Sequence, residues 1–573
     1  MHVFFLVLCC LSSVVCFADE AVEYIRNADF ESTHFAGNWI CADCTMTSYT
    51  SDVYHGSKCI KVTNRHHFWS APQTITHVTP GHNYVAKMHF KLLNMESGST
   101  TVEVDLMATV HTHGRDHRVK VARLPYQQLR YGWSEISGDF FVPAGSTTVK
   151  LFLQVAKPSI NYLLDYCSLQ QIPHNSHWYS DATTRIASLR KAPVSLRIAH
   201  GTNAEGITVQ LVQKRHEFPF GTAVRAALLI DGLHQDYANF IYHNFNWAVL
   251  ENILKWRLME WTQGHPKFDT AEKAISTLRS HGLPVRGHNM FWATDGHSPN
   301  WLGGKSQSDF ITEMKRHISD VVSHTNGTLD HWDVYNEALH GRYYEEHSGD
   351  PDIINKMFNW IHVAEPQSKL FLNDFNIVNS NMYTTALKNQ GLQLLKDGIP
   401  VDGIGIQSHF HGSNIDMDVL KYRLDKVAEA GLKLWITELT ILESNSTKKA
   451  AALEDVLTLY YSHPAVEGIM LWGFWDGAAF DTRISLFTGS KITANAAGQK
   501  YLDLVRNTWW TQYSHDLTAG QILHTSVFSG SYTLVVKHNG NIIHQENLVI
   551  DTTGKDITVH VTDDHHVSQI AFG

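Results

Sequence analysis

Two glutamates stand at the ends of apolar segments that could bring them to one site. Glu337 closes the segment HWDVYNE, and Glu438 closes LKLWITE. Two carboxyl groups flanking a bound sugar chain can cleave a glycosidic bond, because one protonates the leaving oxygen while the other attacks the sugar or activates water. A carboxyl separation of about 5–5.5 Å gives retention of configuration, and about 6.5–9.5 Å gives inversion. The pair therefore indicates glycoside hydrolysis, provided that the fold brings the two together.

Other apolar segments in the middle of the chain also end in side chains that can bind or react. Strand ends without a functional role usually continue into turn residues such as glycine, serine or asparagine. Polar and aromatic side chains at so many segment ends indicate a shared binding or reacting site. The residues concerned include Asn252, His288, Asn373, Asp374, His409 and Trp472.

These segments recur with a regular rhythm between residues 217 and 508, and a helix-like segment follows each one. They are FPFGTAV, FNWAVLEN, LPVRGHNM, HWDVYNE, KLFLNDF, VDGIGIQSH, LKLWITEL and VEGIMLWGF. Eight strand-then-helix units predict a (β/α)8 TIM barrel, whose chemistry lies at the C-terminal ends of its strands. Glu337 and Glu438 would then end the fourth and seventh strands.

The flanking regions predict β structure, so the chain as a whole is expected to be multi-domain. Residues 22–172 alternate in short strands typical of an antiparallel, jelly-roll-like β-sandwich. Residues 173–216 predict a linker followed by a β-hairpin over 193–213. Residues 511–573 predict a small C-terminal β domain, which we expect the 193–213 segment to complete.

The N-terminus predicts export. Residues 3–18 form an apolar run that is too short to span a membrane and ends in small residues. We therefore expect a signal peptide over 1–18 and a secreted, extracellular protein. The sequons at Asn326 and Asn445 agree with a secreted glycoprotein.

Cysteine usage fits that compartment. Four cysteines remain after the signal segment, and an even number in a secreted chain predicts two disulfides whose pairing stays open among three possibilities. No second CxxC motif exists to complete a zinc site with the first. The four residues are Cys41, Cys44, Cys59 and Cys167.

Composition narrows the partners. Lysine plus arginine number 46 against 56 aspartate plus glutamate, so the net charge is −10 and nucleic acid is disfavoured as a main partner. No segment after the N-terminus is apolar enough to span a bilayer, so no membrane partner is expected. The chain also carries 37 histidines and 16 tryptophans, and flat indole faces suit a sugar-binding cleft.

The segments VLENILKW, VRGHNMFW, WDVYNE, FLNDFNI, DGIGIQSHF, WITEL and LWGFWD occur in an order and spacing that point to a family. Over 217–508 the chain resembles the catalytic barrel of glycoside hydrolase family 10, whose members are mainly endo-β-1,4-xylanases. Residues 24–172 resemble family 22 and related xylan-binding modules. The resemblance implies a carbohydrate-binding module joined to a catalytic barrel, and it implies no cofactor for catalysis.

The resemblance also implies residue roles. Glu337 matches the general acid/base and Glu438 the nucleophile of a retaining double displacement, while Asn336 matches the residue that binds the sugar 2-hydroxyl next to the cleaved bond. The other sugar contacts that it implies are Glu251, Asn252, Lys255, His288, Trp292, Gln407, His409, Trp472 and Trp475.

Some positions depart from the family pattern. Ala293 stands where many members have histidine, Phe480 stands where they have tryptophan, and Trp475 is inserted. Xylose and glucose chains differ by one CH2OH group per ring, which a pocket discriminates by only about 1–3 kcal/mol. The preference between xylan and cellulose or mixed β-glucan therefore stays open.

Glu31 and Asp165 stand where such sandwiches hold a structural calcium through oxygen ligands, so we expect calcium there. The sequence as a whole predicts a monomeric endo-β-1,4-xylanase that acts on β-1,4-linked plant polysaccharide. An endo-β-1,4-glucanase or an enzyme with both activities is an alternative, and so is a non-catalytic polysaccharide-binding protein. The retained pair Glu337 and Glu438 argues against the last of these.

Overall fold

The computed structural model describes residues 22–32, 38–199, 205–325, 327–518 and 520–573. The predicted signal peptide and the sequon residue Asn326 lie outside the described residues. Across these ranges, none of the helices has the length and hydropathy of a bilayer-spanning segment.

The N-terminal module is a sandwich of two five-stranded antiparallel sheets, as predicted. The strand orders are β1-β4-β9-β6-β7 and β2-β3-β10-β5-β8. Trp39, Tyr84 and Tyr162 are fully buried in the core between the sheets. The strands are β1 (Ile40–Ala42), β2 (Thr45–Tyr49), β3 (Cys59–Thr63), β4 (Ala71–His77), β5 (His82–Leu92), β6 (Val102–Thr112), β7 (Arg115–Gln127), β8 (Trp133–Val142), β9 (Ser146–Val155) and β10 (Tyr162–Gln171).

The module contains one disulfide rather than the two expected. Cys41 and Cys44 are bonded, whereas Cys59 and Cys167 are buried free thiols, so the prediction of a second bridge is wrong. The Cys59 thiol donates to the Asp52 carbonyl at 3.3 Å, and Cys167 lies in an irregularity of β10. Burial raises the pKa of both thiols, to about 12 for Cys59. Because the thiolate is the nucleophilic form, burial of this kind disfavours reaction at either sulfur.

A helix and two strands lead from the module to the barrel: α1 (Trp178–Arg190), β11 (Lys191–Ile198) and β12 (Ile207–His216). In both strands alternate residues are buried, which is the pattern of a sandwich strand with one covered face.

All eight predicted barrel strands form, and the parallel sheet closes through the pairing of β15 with β17 and of β13 with β22. The third and sixth positions are each split in two. The strands are β13 (Phe220–Val224), β14 (Trp247–Leu250), β15 (Val285–Gly287) and β16 (Phe291–Trp292), β17 (His331–Asn336), β18 (Lys369–Asp374), β19 (Gly403–Ile406) and β20 (His409–Phe410), β21 (Lys433–Ile441), and β22 (Val466–Leu471).

Amphipathic helices surround this barrel and bury their apolar faces against it. Asn445 caps one of them, because its side chain accepts hydrogen bonds from the backbone of Thr447 and Lys448. A small ribbon, β23 (Phe487–Thr488) with β24 (Thr493–Ala494), follows the last barrel strand. The helices are α2 (Ala226–Ile230), α3 (Gln235–Asn244), α4 (Trp256–Met259), α5 (Asp269–Ser280), α6 (Gln307–Thr325), α7 (Tyr343–Ser348), α8 (Ile353–Ala364), α9 (Thr384–Lys396), α10 (Met417–Ala428), α11 (Ser446–Ser462) and α12 (Ala496–Asp503).

The C-terminal domain is a second β-sandwich. Strands β11 and β12 belong to this domain, and each lies in a different one of its two sheets. The remaining strands are β25 (Gln512–Asp516), β26 (Ile522–Phe528), β27 (Gly530–His538), β28 (Asn541–Ile550), β29 (Lys555–Val561) and β30 (Val567–Phe572). The sheet orders are β26-β11-β29-β30 and β25-β12-β27-β28. Residues 193–213 thus belong to this domain, but the predicted hairpin is wrong because β11 and β12 lie in different sheets around a shared apolar core. The barrel is inserted between strands of one sandwich.

Buried ion pairs fasten the N-terminal module to the side of the barrel. Arg423 of α10 donates to both carboxylate oxygens of Asp139 at 2.7 Å. Glu135 lies 3.1 Å from the ammonium groups of both Lys388 and Lys426. Burial alone would raise the pKa of Glu135. The positive charges of the two lysines outweigh this effect and lower the pKa to about 2. The module therefore docks through charges held on α9 and α10.

Candidate active site

Glu337 follows β17 and is held from three sides. Its backbone has φ 59°, a left-handed conformation that is uncommon outside glycine, and its N–H donates to the Asn373 carbonyl at 2.8 Å. Trp292 Nε1 donates to Oε2 at 2.7 Å, and Gln407 Nε2 donates to Oε1 at 3.3 Å. These contacts aim the carboxyl group from the end of the fourth strand.

The surroundings of Glu337 favour its protonated form. Burial raises the pKa of this carboxyl above its ordinary value, and the negative charges of Asp374 and Glu438 add to the rise. The hydrogen bonds from Trp292 and Gln407 oppose the rise without reversing it. Glu337 is therefore suited to act as a proton donor.

Glu438 lies in β21 and favours the opposite state. Asn373 Nδ2 donates to its Oε1 at 3.0 Å, and His409 Nε2 lies 3.3 Å from its Oε2. Burial alone would raise the pKa of Glu438, but the His409 hydrogen bond and the charges of His288, His409 and Lys255 lower it below its ordinary value. The two glutamates thus favour different protonation states.

Asn336 and Asn373 form a bridge between the two glutamates. Asn373 Nδ2 also donates to Asn336 Oδ1 at 2.9 Å, and Thr437 Oγ1 donates to Asn373 Oδ1 at 2.6 Å. The Asn336 Nδ2 group is buried and has no hydrogen-bond partner within the described ranges. A buried donor without a partner marks a place where a ligand can accept a hydrogen bond.

The predicted sugar contacts after β14 gather beside two tryptophans. Lys255 Nζ donates to Asn252 Oδ1 at 2.9 Å and lies 4.7 Å from the Trp292 ring centre and 5.9 Å from that of Trp472. Burial lowers the pKa of Lys255, although nearby glutamates oppose the fall. Glu251, also predicted, forms an ion pair at 3.1 Å with an arginine at the end of the first barrel strand.

His288 connects this group to the barrel interior. Its Nδ1 lies 2.8 Å from Asp333 Oδ2, and its ring packs edge-on to Trp472 with centres 5.1 Å apart. Asp333 is almost completely buried and also binds Arg286. No role for Asp333 or Asn373 follows from the sequence alone, although Asn373 ends a predicted strand. Each of them holds a predicted site residue in place.

The departures from the family pattern surround Trp292 and the last barrel strand. Ala293 is fully buried, and His297 stacks on Trp292 with ring centres 3.8 Å apart. Trp475 donates its indole N–H to a backbone carbonyl at 2.8 Å, and its role as a sugar contact stays a prediction. Phe480 is 57% exposed, so its ring is accessible to solvent.

Glu31 and Asp165 hold the same loop of the module. Glu31 Oε1 accepts from the backbone of Ser57 and Lys58, and Asp165 Oδ2 accepts from the backbone of Tyr54. Carboxylate oxygens are donors of the type that calcium takes. Among the residues described, no group of three or more His, Cys, Asp or Glu is placed to hold a metal. Calcium binding stays a prediction.

A closed parallel barrel that pairs two carboxyl groups of opposite protonation preference beside indole rings defines the class of barrel glycoside hydrolases. Comparison with known families specifies it further. The Glycosyl hydrolase family 10 model matches residues 209–497, half of the chain, and the chain belongs to that family. A second model, described as a carbohydrate binding domain, matches residues 22–159.

Similar proteins cover part of the chain. The anti-sigma-I factor RsgI6 of Acetivibrio thermocellus is 32% identical over 63% of this chain and 46% of its own length. Endo-1,4-beta-xylanase 1 of Arabidopsis thaliana is 31% identical over 74% of this chain and 44% of its own. Xylanase 10B from Thermotoga petrophila, solved with xylobiose, is 25% identical with a TM-score of 0.47 over 51% of this chain and 94% of that one. The chain spans about half the length of the curated relatives it matches.

Proposed function

We propose that this protein is a secreted, monomeric endo-β-1,4-xylanase that cleaves xylan with retention of configuration. The observation that carries the proposal is the pair Glu337 and Glu438, bridged by two asparagines, with pKa values displaced upward for the first and downward for the second. Retaining and inverting reactions both need one protonated and one ionised carboxyl group at their start, and retention is the outcome that the resemblance to family 10 implies. Family membership and the attached carbohydrate-binding domain support the same activity.

The reaction then runs in two displacements. Glu337 gives its proton to the glycosidic oxygen while the Glu438 carboxylate attacks the anomeric carbon, so the leaving chain departs and a glycosyl ester forms on Glu438. Glu337, now ionised, takes a proton from water, and the water oxygen attacks the same carbon and releases Glu438. The ester carries no charge on Glu438, which removes one cause of the raised pKa of Glu337.

Asn336 supplies the contact that strengthens as the bond breaks. Its Oδ1 is fixed by Asn373, which leaves the unpartnered Nδ2 free to donate to the 2-hydroxyl of the reacting sugar. Hydrogen bonds to that hydroxyl strengthen as positive charge develops on the sugar ring. The contact therefore stabilises the transition state more than the bound substrate, which raises kcat.

The sugar preference is the finer part of the proposal. Several curated relatives, from Arabidopsis thaliana and Thermoanaerobacterium saccharolyticum, are named endo-1,4-beta-xylanases, which supports xylan. Phe480, whose ring is exposed, stands where many family members have tryptophan, and a looser wall at that position would admit cellulose or mixed β-glucan as a second substrate.

Substrate comparison tests the proposal. Purified full-length protein is incubated with xylan, carboxymethyl cellulose and mixed β-glucan, and reducing ends are counted. NMR of the first products reports the anomeric configuration. We expect release from xylan with retention, and none from the Glu438→Gln variant, whose fold is checked by circular dichroism. Binding without release from any of the three would leave the non-catalytic alternative, and inverted products would contradict the mechanism.

A further inference from the structure

A cavity of 370 Å³ lies between strands β7 and β8 of the module and helices α7 to α9 of the barrel. We call it the seam cavity; Tyr126 and Trp133 line its module side, and Arg342, Asn389 and Gln390 line its barrel side. A water molecule occupies about 30 Å³ in the liquid, so this space exceeds a packing defect by an order of magnitude. Ligand pockets commonly span about 300–1,000 Å³ and occur at domain interfaces.

Aromatic rings supply the module side of the seam cavity. Tyr126, Tyr131 and Trp133 are all partly exposed, and Tyr54 at the edge is 46% exposed. Flat apolar faces with polar edges are suited to stack on the C–H faces of pyranose rings. Trp133 is fixed in place, because its indole N–H donates to Asp52 at 2.8 Å.

The barrel side supplies polar groups that are ready to bind hydroxyls. Gln390 Oε1 is buried and has no hydrogen-bond partner within the described part of the chain. Arg342 donates to Thr101 at 2.7 Å and lies 5.1 Å from the Tyr126 ring centre, and no carboxylate among the described residues forms an ion pair with it. A ligand that reached Gln390 Oε1 would supply its missing hydrogen bond, and Arg342 could turn to a ligand without breaking an ion pair.

The charges around the seam cavity are nearly balanced. Four cationic and three acidic side chains line it, and carboxylates already pair with Arg130 and Lys388, which argues against a polyanionic ligand such as a nucleotide. Aromatic faces combined with amides and a guanidinium instead match a neutral, hydroxyl-rich molecule.

Polar contacts between the domains hold the walls of the seam cavity in place. Arg130 of the module lies 2.7 Å from Asp352 and 3.0 Å from Asp397, and Asn389 donates to the Glu135 carbonyl at 2.8 Å. Because the walls are already ordered, ligand binding costs little conformational entropy.

We propose that the seam cavity is a second saccharide-binding site, which takes a short β-1,4-linked oligosaccharide of the same class as the substrate. The choice of sugar rests on the proposed function. The site is distinct from the catalytic cleft, yet Ala338 and Leu339, which directly follow Glu337, form part of its wall. A bound oligosaccharide would therefore contact both the module and the segment that carries the catalytic acid.

Hydrogen exchange on the full chain tests the proposal. The Glu438→Gln variant keeps the probe, xylotetraose, from being hydrolysed. We expect xylotetraose to slow exchange in peptides covering 124–135 and 386–396, in addition to peptides from the catalytic cleft. Gln390→Phe in the same background fills the seam cavity without breaking a hydrogen bond in the described structure, and Tyr126→Ala removes a wall. Each should weaken seam protection at least tenfold and leave cleft protection intact.

Tyr49→Ala is the matched control, because Tyr49 is a partly buried tyrosine of the same module that also lies under a cation, Lys61, but does not line the seam cavity. It should leave protection at both sites unchanged. Seam peptides that stay unprotected when the cleft is saturated would overturn the proposal, and so would protection that survives Gln390→Phe. Xylan hydrolysis by the unmodified chain is measured in parallel. Hydrolysis without seam binding refutes the second site alone, whereas seam binding without hydrolysis refutes the proposed activity alone.

Discussion

Asn373 offers the sharpest test of how the active site is held together. Its side chain donates to Glu438 at 3.0 Å and to Asn336 at 2.9 Å, and it accepts from Thr437 at 2.6 Å. Replacing it with alanine removes all three contacts and leaves Glu337 and Glu438 chemically intact. We expect Asn373→Ala to fold and to lose activity, because the nucleophile and the 2-hydroxyl donor lose their common anchor.

The size of the loss follows from the bonds removed. A hydrogen bond to a charged group contributes about 1.5–3 kcal/mol, and each loss of about 1.36 kcal/mol in transition-state stabilisation lowers the rate tenfold. The bond to Glu438 alone therefore predicts a fall in kcat/KM of roughly 10- to 150-fold. Most of the fall should appear in kcat, since the nucleophile and Asn336 act on the transition state.

Steady-state kinetics on an aryl β-xylobioside measure kcat and KM separately, and thermal unfolding verifies the fold. Asn379→Ala is the matched control, because Asn379 also donates two hydrogen bonds near the cleft, to Asn376 and to the His409 carbonyl, but none to Glu438. The control should lose less than threefold. An equal loss in both variants, or a loss in Asn373→Ala that lies entirely in KM, would refute the reasoning.

The catalytic pair, the docked module and the loop held by Glu31 and Asp165 each give a further test. His409→Phe removes the hydrogen bond that lowers the pKa of Glu438; since Glu438 must be ionised to attack, the acidic limb of the kcat/KM profile should move to higher pH, and an unmoved limb would contradict this. Glu438→Gly should be inactive and rescued by azide with formation of the inverted glycosyl azide; a retained product would exchange the two catalytic roles. Arg423→Ala leaves the buried Asp139 without its partner, so denaturant unfolding should show that the free energy of unfolding falls by about 3–5 kcal/mol. A fall below about 1 kcal/mol, which is typical of a surface pair, would mean that the ion pair does not hold the module. Added calcium should raise the unfolding temperature of the protein, and Glu31→Gln should abolish this increase. An increase that persists in the Glu31→Gln variant would place the calcium ion elsewhere.

The barrel and its two glutamates could be predicted because their signals are local. Strands buried on both faces appear as continuous apolar segments, and HWDVYN is buried at every position. The C-terminal end of such a strand lies at the functional end of the barrel, which placed Glu337 and Glu438 there without any knowledge of contacts. The roles of Asn373 and Asp333 could not be predicted in this way, because their partners lie on other strands.

The predictions of the hairpin and of the second disulfide were wrong for the same reason, because both depend on which distant residues come together in the fold. The alternating pattern of β11 and β12 is compatible with any antiparallel partner, and their true antiparallel partners lie in the C-terminal segment. An even cysteine count is compatible with two bridges, but each bond requires side chains that point at each other. Docking of the module through Arg423 and Asp139 likewise joins positions that are far apart in the sequence.

The insertion of the barrel between strands of one sandwich has a consequence for biosynthesis. Thr208 and Asp516 meet across neighbouring strands although 308 positions separate them. At a ribosomal rate of about 5–20 residues per second, β11 and β12 wait roughly 15–60 s for their partners while the barrel emerges. During that interval their apolar faces and unpaired edges are open to other chains. Yield of this protein in a heterologous host should therefore depend on chaperones that shield nascent chains, even where the barrel itself folds promptly.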